Sequence, residues 1–358
     1  MLTAQACAGE KPQEGVKMKY AYKLHCNLPN NSRNEQVPMD TIARIAQHAD
    51  AFQYNGVLSH FNFQMMDPFV LGTWIIQRTK RLSPIIAVQP NYCSPLEAAK
   101  MVQTIARLYG RRVILNMITG AAKSELEQVQ ETLSHDERYV RLAEYMHVLK
   151  LILSTAGPVY FAGDYYKYNG LQLYPELEPE LMPTLFVAGS SAASMEVALQ
   201  QADLFMTHPG PVPEYRELTN GIRHLPHLRS GIKIGVIARE TKEEAWMEAH
   251  RRFPVSATGK MATKMKAKSE SVWLRQMAEL TLASDNRDEV FWMGGFASGI
   301  ANNPILVGDY EQVSQYIGQY VEAGVNEIIV AGLLDEHDFR HTAEVFKTMD
   351  AAQYAHER

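Results

Sequence analysis

The chain has 358 residues, a formal charge of −5, 46% hydrophobic and 21% charged residues, which is the composition of a globular protein. Mild acidity speaks against nucleic acid or a membrane surface as partner, and no apolar run reaches the ~18 residues of a membrane helix. Three scattered cysteines, Cys7, Cys26 and Cys93, have no CxxC spacing and fit a reducing, cytoplasmic setting.

Residues 1–16 lack both a basic start and an apolar core, and read as a disordered leader rather than a signal peptide. From residue 17 onward, apolar runs of strand length alternate with helical patterns. Strands are expected at 18–24, 56–59, 85–90, 113–117, 184–187, 203–206, 232–239 and 326–330. Helices are expected from Asp40, from Pro95 to Leu108, from His135 to Ser154, from Thr241, from Asp309 to Ala323 and from His337. Such alternation favours a parallel sheet, and eight strands favour a closed (β/α)8 TIM barrel over an open doubly wound sheet. No G-x-G-x-x-G follows the first strand, which weakens a dinucleotide-binding reading.

Two stretches break the rhythm. Residues 157–183, rich in Tyr, Pro and Gly, read as a β-hairpin excursion. Residues 254–308 are too long for one crossover and read as a mobile insertion before the last strand. They carry Lys260, Lys264, Lys266 and Lys268 in a weakly patterned, small-residue context. A lid, a partner surface and a merely solvated basic helix all fit.

Catalytic groups of a parallel barrel sit where strands end. Those ends offer His25, His60 with Asn62, Gln89, Asn116 with Thr119, Gly189–Ser191, and His208. Any one histidine could be a core residue satisfied by backbone, but three at strand ends suit acid–base work. Ser134, His135, Arg138 and Tyr139 at a helix start, opposite the Gly189-Ser190-Ser191 turn, form a two-sided clamp for a phosphate. No strand-end carboxylate completes a metal set, so no metal is expected. His337 and His341 stand at i and i+4 without a third ligand and read as a solvated helix face. Nucleophile elbows, P-loops and H-E-x-x-H strings are absent. Redox chemistry would need a cofactor.

The string RLYGRRVILNMITG, the SHDERY run, the LFVAGSS turn, VQPNYCSPLEAAKM, VIARETKEEAW and ILVGD, in that combination, resemble the flavin-dependent bacterial luciferase-like monooxygenases, nearest the alkanesulfonate monooxygenase branch. The resemblance spans roughly residues 18–346. It implies a (β/α)8 barrel, reduced FMN supplied by a separate flavin reductase, and O2 as co-substrate. On this reading Gln89, Asn116, Thr119, His135, Arg138, Tyr139, Gly189, Ser190 and Ser191 bind the cofactor, and His208, His60, His25 and Lys233 are the catalytic candidates. The same alignment puts Met65 where that branch has cysteine, His208 for tryptophan, Gly235 for histidine, Gly299 for arginine and Leu333 for tyrosine. Only Lys233 keeps a cation, in place of arginine. The phosphate side is kept and the substrate side rewritten, so a sulfonate would lose its charge partners. The expected substrate is a small or carrier-protein-tethered, non-sulfonate organic molecule of specialised metabolism, handled by a homo-oligomer (dimer or tetramer). The alternatives are a non-catalytic flavin-binding relative, a deazaflavin-dependent oxidoreductase, and a true alkanesulfonate monooxygenase.

Overall fold

The computed structural model describes residues 22–29, 37–269, 271–283, 286–287 and 289–355. The leader expected at 1–16 lies outside them. In chain order the first half runs β1 (Lys23–Asn27), α1 (Met39–Ala51), β2 (Gly56–Ser59), α2 (Pro68–Ile76), β3 (Ser83–Val88), α3 (Pro95–Tyr109), β4 (Ile114–Met117), α4 (Lys123–Gln128) and α5 (His135–Ser154). An antiparallel hairpin of β5 (Val159–Ala162) and β6 (Lys167–Leu171) follows. Then come β7 (Thr184–Ala188), α6 (Ala192–Gln201), β8 (Leu204–Thr207), α7 (Val212–Thr219), β9 (Arg229–Arg239) and α8 (Lys242–Arg252). The long segment before the last strand holds α9 (Ala257–Lys266), α10 (Val272–Ala283), β10 (Asn286–Arg287), β11 (Phe291–Trp292), α11 (Gly294–Ala297) and β12 (Ile305–Asp309). The chain closes with α12 (Tyr310–Glu322), β13 (Val325–Ala331) and α13 (Glu336–Ala355).

Eight parallel strands close in the order β1-β2-β3-β4-β7-β8-β9-β13 and back to β1. Every residue of β2, β4 and β8 is buried, as expected where side chains point alternately into the barrel and under helices. Leu58, Ile85, Ile114, Phe186, Leu204, Met206 and Ile329 form the inner cluster, a packed plug rather than a pore. The helices start where local chemistry dictates. Ser94 and Glu97 make a reciprocal capping box ahead of α3, with Pro95 in its first turn and Gly110 at φ 59° closing it. Ser134 with Glu137 and Asp309 with Gln312 do the same for α5 and α12.

One expected strand changes its bounds and two elements add to those expected. Residues 18–21 of the expected first strand lie outside the described residues; among those described the strand is Lys23–Asn27 and continues past Leu24, which places His25 mid-strand, opposite Gly56 and Ile329. Helix α2 was not anticipated: its stretch PFVLGTWII is apolar on all sides and lacks the periodicity of a surface helix. The insertion expected at 254–308 ends in a strand that the sequence did not mark: β12 pairs parallel with β9 from Gly235 to Arg239, and β11 adds antiparallel to it.

That pairing gives β9 an unusual place. One edge of β9 holds β13 over Ser230–Gly235. The opposite edge holds β8 at Arg229–Ile232 and then, above the end of β8, β12. A seam therefore opens between Thr207 and Ile305, beside Lys233.

Candidate active site

A cavity of about 880 Å³ occupies the C-terminal mouth of the barrel. His60, Gln89, Asn116, Thr119, His135, Tyr139, Gly189, Ser190, Ser191, His208 and Lys233 all line it. Two candidates do not. His25 lies below, fully buried, with Nε2 2.8 Å from Glu327 Oε2. Arg229 and Lys23 bond the same carboxylate, so His25 belongs to an ion cluster at the opposite end of the barrel. Its misassignment follows from the shifted strand, and Asn27 is the residue that β1 delivers to the cavity. Arg138 is buried on the first turn of α5 and donates to the Leu133 carbonyl at 2.9 Å. It braces the loop before the helix instead of facing the cavity.

One wall suits an anion. Ser191 caps α6 by accepting from the Ser194 amide, and Ser194 Oγ donates back to the Ser191 carbonyl at 2.7 Å. The first-turn amides before them have no intrahelical acceptor. Gly189 is required by close packing: a Cβ there would stand 2.4 Å from Ser194 Cβ and 3.0 Å from Tyr139 Oη. Tyr139 is buried, and its hydroxyl donates to the Ala188 carbonyl at 3.4 Å. Burial pushes its pKa up, so it stays a neutral donor. Ser190 Oγ is buried and has no hydrogen-bond partner, an arrangement with room for one more acceptor or donor from a ligand. His135 stands over Tyr139 with ring centroids 5.1 Å apart, its Nδ1 held by Asp136.

The opposite wall carries the titratable groups. Lys233 Nζ lies 3.1 Å from His60 Nε2. Burial alone brings the lysine down from 10.5 to about 7. Burial, then the neighbouring ammonium, holds His60 well below its usual range and takes His208 down to about 3. Both imidazoles are therefore neutral at neutral pH. The His208 ring stacks on Trp273 at 4.5 Å, and its buried Nδ1 is unpartnered. His60 follows β2, His208 follows β8, and Lys233 stands at the seam in β9, so three strands converge on one cluster.

Sequence reasoning missed Asn27, Trp273 and Asn303. Asn303 takes the space beside Gly235, where a Cβ would come within 3.1 Å of its Nδ2. Trp273 comes from the weakly patterned segment before β13, and no local signal marked it. Met65 and Gly235 line the cavity, whereas Gly299 and Leu333 do not. His337 and His341 lie away from it, ring nitrogens 3.0 Å apart on α13.

The luciferase-like monooxygenase family model matches residues 18–327. The chain belongs to the luciferase-like monooxygenase family. It is a luciferase-like monooxygenase, as the resemblance implied. It is 42% identical over 317 residues (88% of this chain, 93% of the relative) to the 4-(gamma-L-glutamylamino)butanoyl-[BtrI acyl-carrier protein] monooxygenase BtrO of Niallia circulans. The riboflavin lyase RcaE, solved with modified FMN and riboflavin, superposes with a TM-score of 0.77 at 14% identity, over 93% of this chain and 92% of that one. An F420-dependent secondary alcohol dehydrogenase, solved with an F420–acetone adduct, gives 0.65 at 18% identity, over 92% and 99%. The family works with a reduced flavin and O2 in general, and the fold also carries F420. Among the described residues no helix is long and apolar enough to cross a membrane.

Proposed function

We propose that this chain takes reduced FMN from a separate flavin reductase and inserts one oxygen atom of O2 into an acyl group tethered to a carrier protein, in specialised metabolism. The observation that carries the reading is that one cavity holds both an anion cradle and a buried cluster of His60, His208 and Lys233. The tethered substrate is supported by the similarity to BtrO, whose name specifies one.

The residues present fit the cofactor. Gly189, Ser190, Ser191 and the start of α6, with Tyr139, Thr119 and His135, would hold its phosphate. The amides of Gln89 and Asn116 face the same cavity, and Asn116 Oδ1 is buried without a partner, open to a flavin-ring N–H. When bound, the flavin supplies two electrons, so that one oxygen atom enters the substrate and the other leaves as water. The chain's own groups do the rest. Trp273 fixes the plane of His208. His60 accepts from Lys233 and keeps its ammonium oriented. With its pKa near 7, Lys233 can give or take a proton at Nζ close to the working pH. Burial of His60, His208 and Lys233 weakens solvent screening among them, which strengthens these interactions.

The test is turnover with reduced FMN, O2 and a thioester substrate on an acyl-carrier protein, followed by mass spectrometry of the acyl group. A gain of one oxygen atom supports the reading. Its absence with FMN but appearance with reduced F420 would reassign the cofactor. Absence with both, alongside intact flavin binding, would mark a non-catalytic relative. Simple alkanesulfonates should release no useful sulfite, because Met65 and Gly235 offer a sulfonate no charge. Release at the rate of an authentic alkanesulfonate monooxygenase would overturn this.

A further inference from the structure

We infer that the solvent face of α9 is the docking surface for the acidic carrier protein, which presents its tethered acyl chain to the cavity beside it. This rests on the tethered-substrate reading above. Residues 253–268 contain four lysines and no carboxylate, within a chain whose net charge is −5. Helical spacing sorts them. Lys260 and Lys264 form one exposed row, with exposed Lys268 in the turn just after the helix, and Met261 and Met265 form an adjacent row. Met261 is 66% and Met265 67% exposed, and Val255 just before the helix is 75% exposed. Among the described residues none of Lys260, Lys264 and Lys268 takes part in an ion pair. A row of unpaired cations beside flexible, exposed methionines suits an acidic partner that also buries apolar surface.

The other side of α9 is fixed. A Cβ on Gly259 would lie 2.4 Å from the Ala297 carbonyl oxygen, and Thr263 Oγ1 donates to the Phe296 carbonyl at 3.4 Å. The exposed face can therefore be altered without disturbing this packing. Its position selects the partner. Lys266, the last residue of α9, lines the cavity, as do Arg251, Arg252 and Phe253 just before it. Lys266 reaches the cavity from the packed side of the helix, over the Phe296 ring, so a partner on the exposed face stands about one helix diameter, ~10 Å, from the cavity lining. A carrier whose substrate hangs on an anionic phosphopantetheine arm meets both requirements, a cationic platform and an adjacent opening.

The experiment uses the full-length enzyme and BtrI acyl-carrier protein loaded with the 4-(gamma-L-glutamylamino)butanoyl group. The control substrate is the same acyl group on free pantetheine. The variant is Lys260→Glu/Lys264→Glu/Lys268→Glu, with Met261→Gln/Met265→Gln as the apolar counterpart. We expect kcat/KM on the carrier substrate to fall about tenfold or more, through KM, with a weaker salt dependence. Turnover of the free thioester should be unchanged. If wild type uses the carrier substrate and both variants use it equally well, the docking face is overturned alone. Equal losses on both substrates would overturn it too. So would a change in oligomeric state with carrier turnover intact, which would make the face a contact between copies. A wild type that oxidises the free thioester but ignores the carrier-bound one overturns the tethered-substrate reading itself.

Discussion

At the scale of single residues the cavity turns on groups whose ordinary charge has been suppressed. His208 is neutral, stacked and unpartnered at Nδ1. His208→Asn should lower turnover by about 10²-fold under saturating reduced flavin while leaving FMN binding nearly unchanged. Full activity in that variant would move the role to His60 or Lys233. Lys233 makes a separate prediction. Its pKa in the folded protein is about 7 against 10.5 for an exposed lysine. Between those values the unfolded chain carries a proton that the folded chain lacks, so this group makes stability rise with pH across that window. Below about pH 7 the lysine is protonated in both states, and the cost of burying its charge is felt in full. Lys233→Met should therefore raise stability at about pH 6 by about 1–4 kcal/mol and flatten the dependence between the two pKa values, measured by denaturant titration. The same variant should lose the limb near pH 7 in its kcat/KM profile. An unchanged profile would remove Lys233 from proton transfer. These charges were only partly legible in the sequence: the residue types were visible, but no pattern shows that Lys233 meets His60, 173 positions away.

The elements were far more legible than their edges. The helix starts expected at His135 and Asp309 agree with the structure, where the reciprocal caps Ser134–Glu137 and Asp309–Gln312 each occupy four consecutive residues. The error in β1 had a different origin. Alternation is ambiguous where polar Lys23 and His25 flank Leu24, and a shift of a few residues moved a histidine from the barrel's base to its mouth. Likewise β12 could not be read, since its partner on β9 is remote in sequence and the string ILVGD also suits a buried loop. The turn from β7 into α6 was legible because glycine between a strand and a serine cap has a narrow range of uses. It carries its own test. Tyr139→Phe combined with Ser190→Ala should weaken FMN binding by about 1–3 kcal/mol, from lost hydrogen bonds to a charged group. Calorimetric titration giving the parent affinity would dismiss the phosphate assignment.

For the whole molecule, β9 ties the barrel to the segment before the last strand. Its lower half is clasped by β8 and β13, and its upper half by β12. The two halves therefore answer to different neighbours, and amide hydrogen exchange can tell them apart. Amides of residues 229–234 should exchange only with global unfolding, as befits a closed barrel. Those of residues 235–239 should exchange sooner if β12 and the helices before it lift away, and a bound carrier protein should slow them. Uniform protection along the strand would mean that the entrance and the barrel open together. In that case the enzyme would have no way to admit a bulky guest without loosening its own frame. With the two halves independent, the frame keeps Lys233 in place while the doorway breathes.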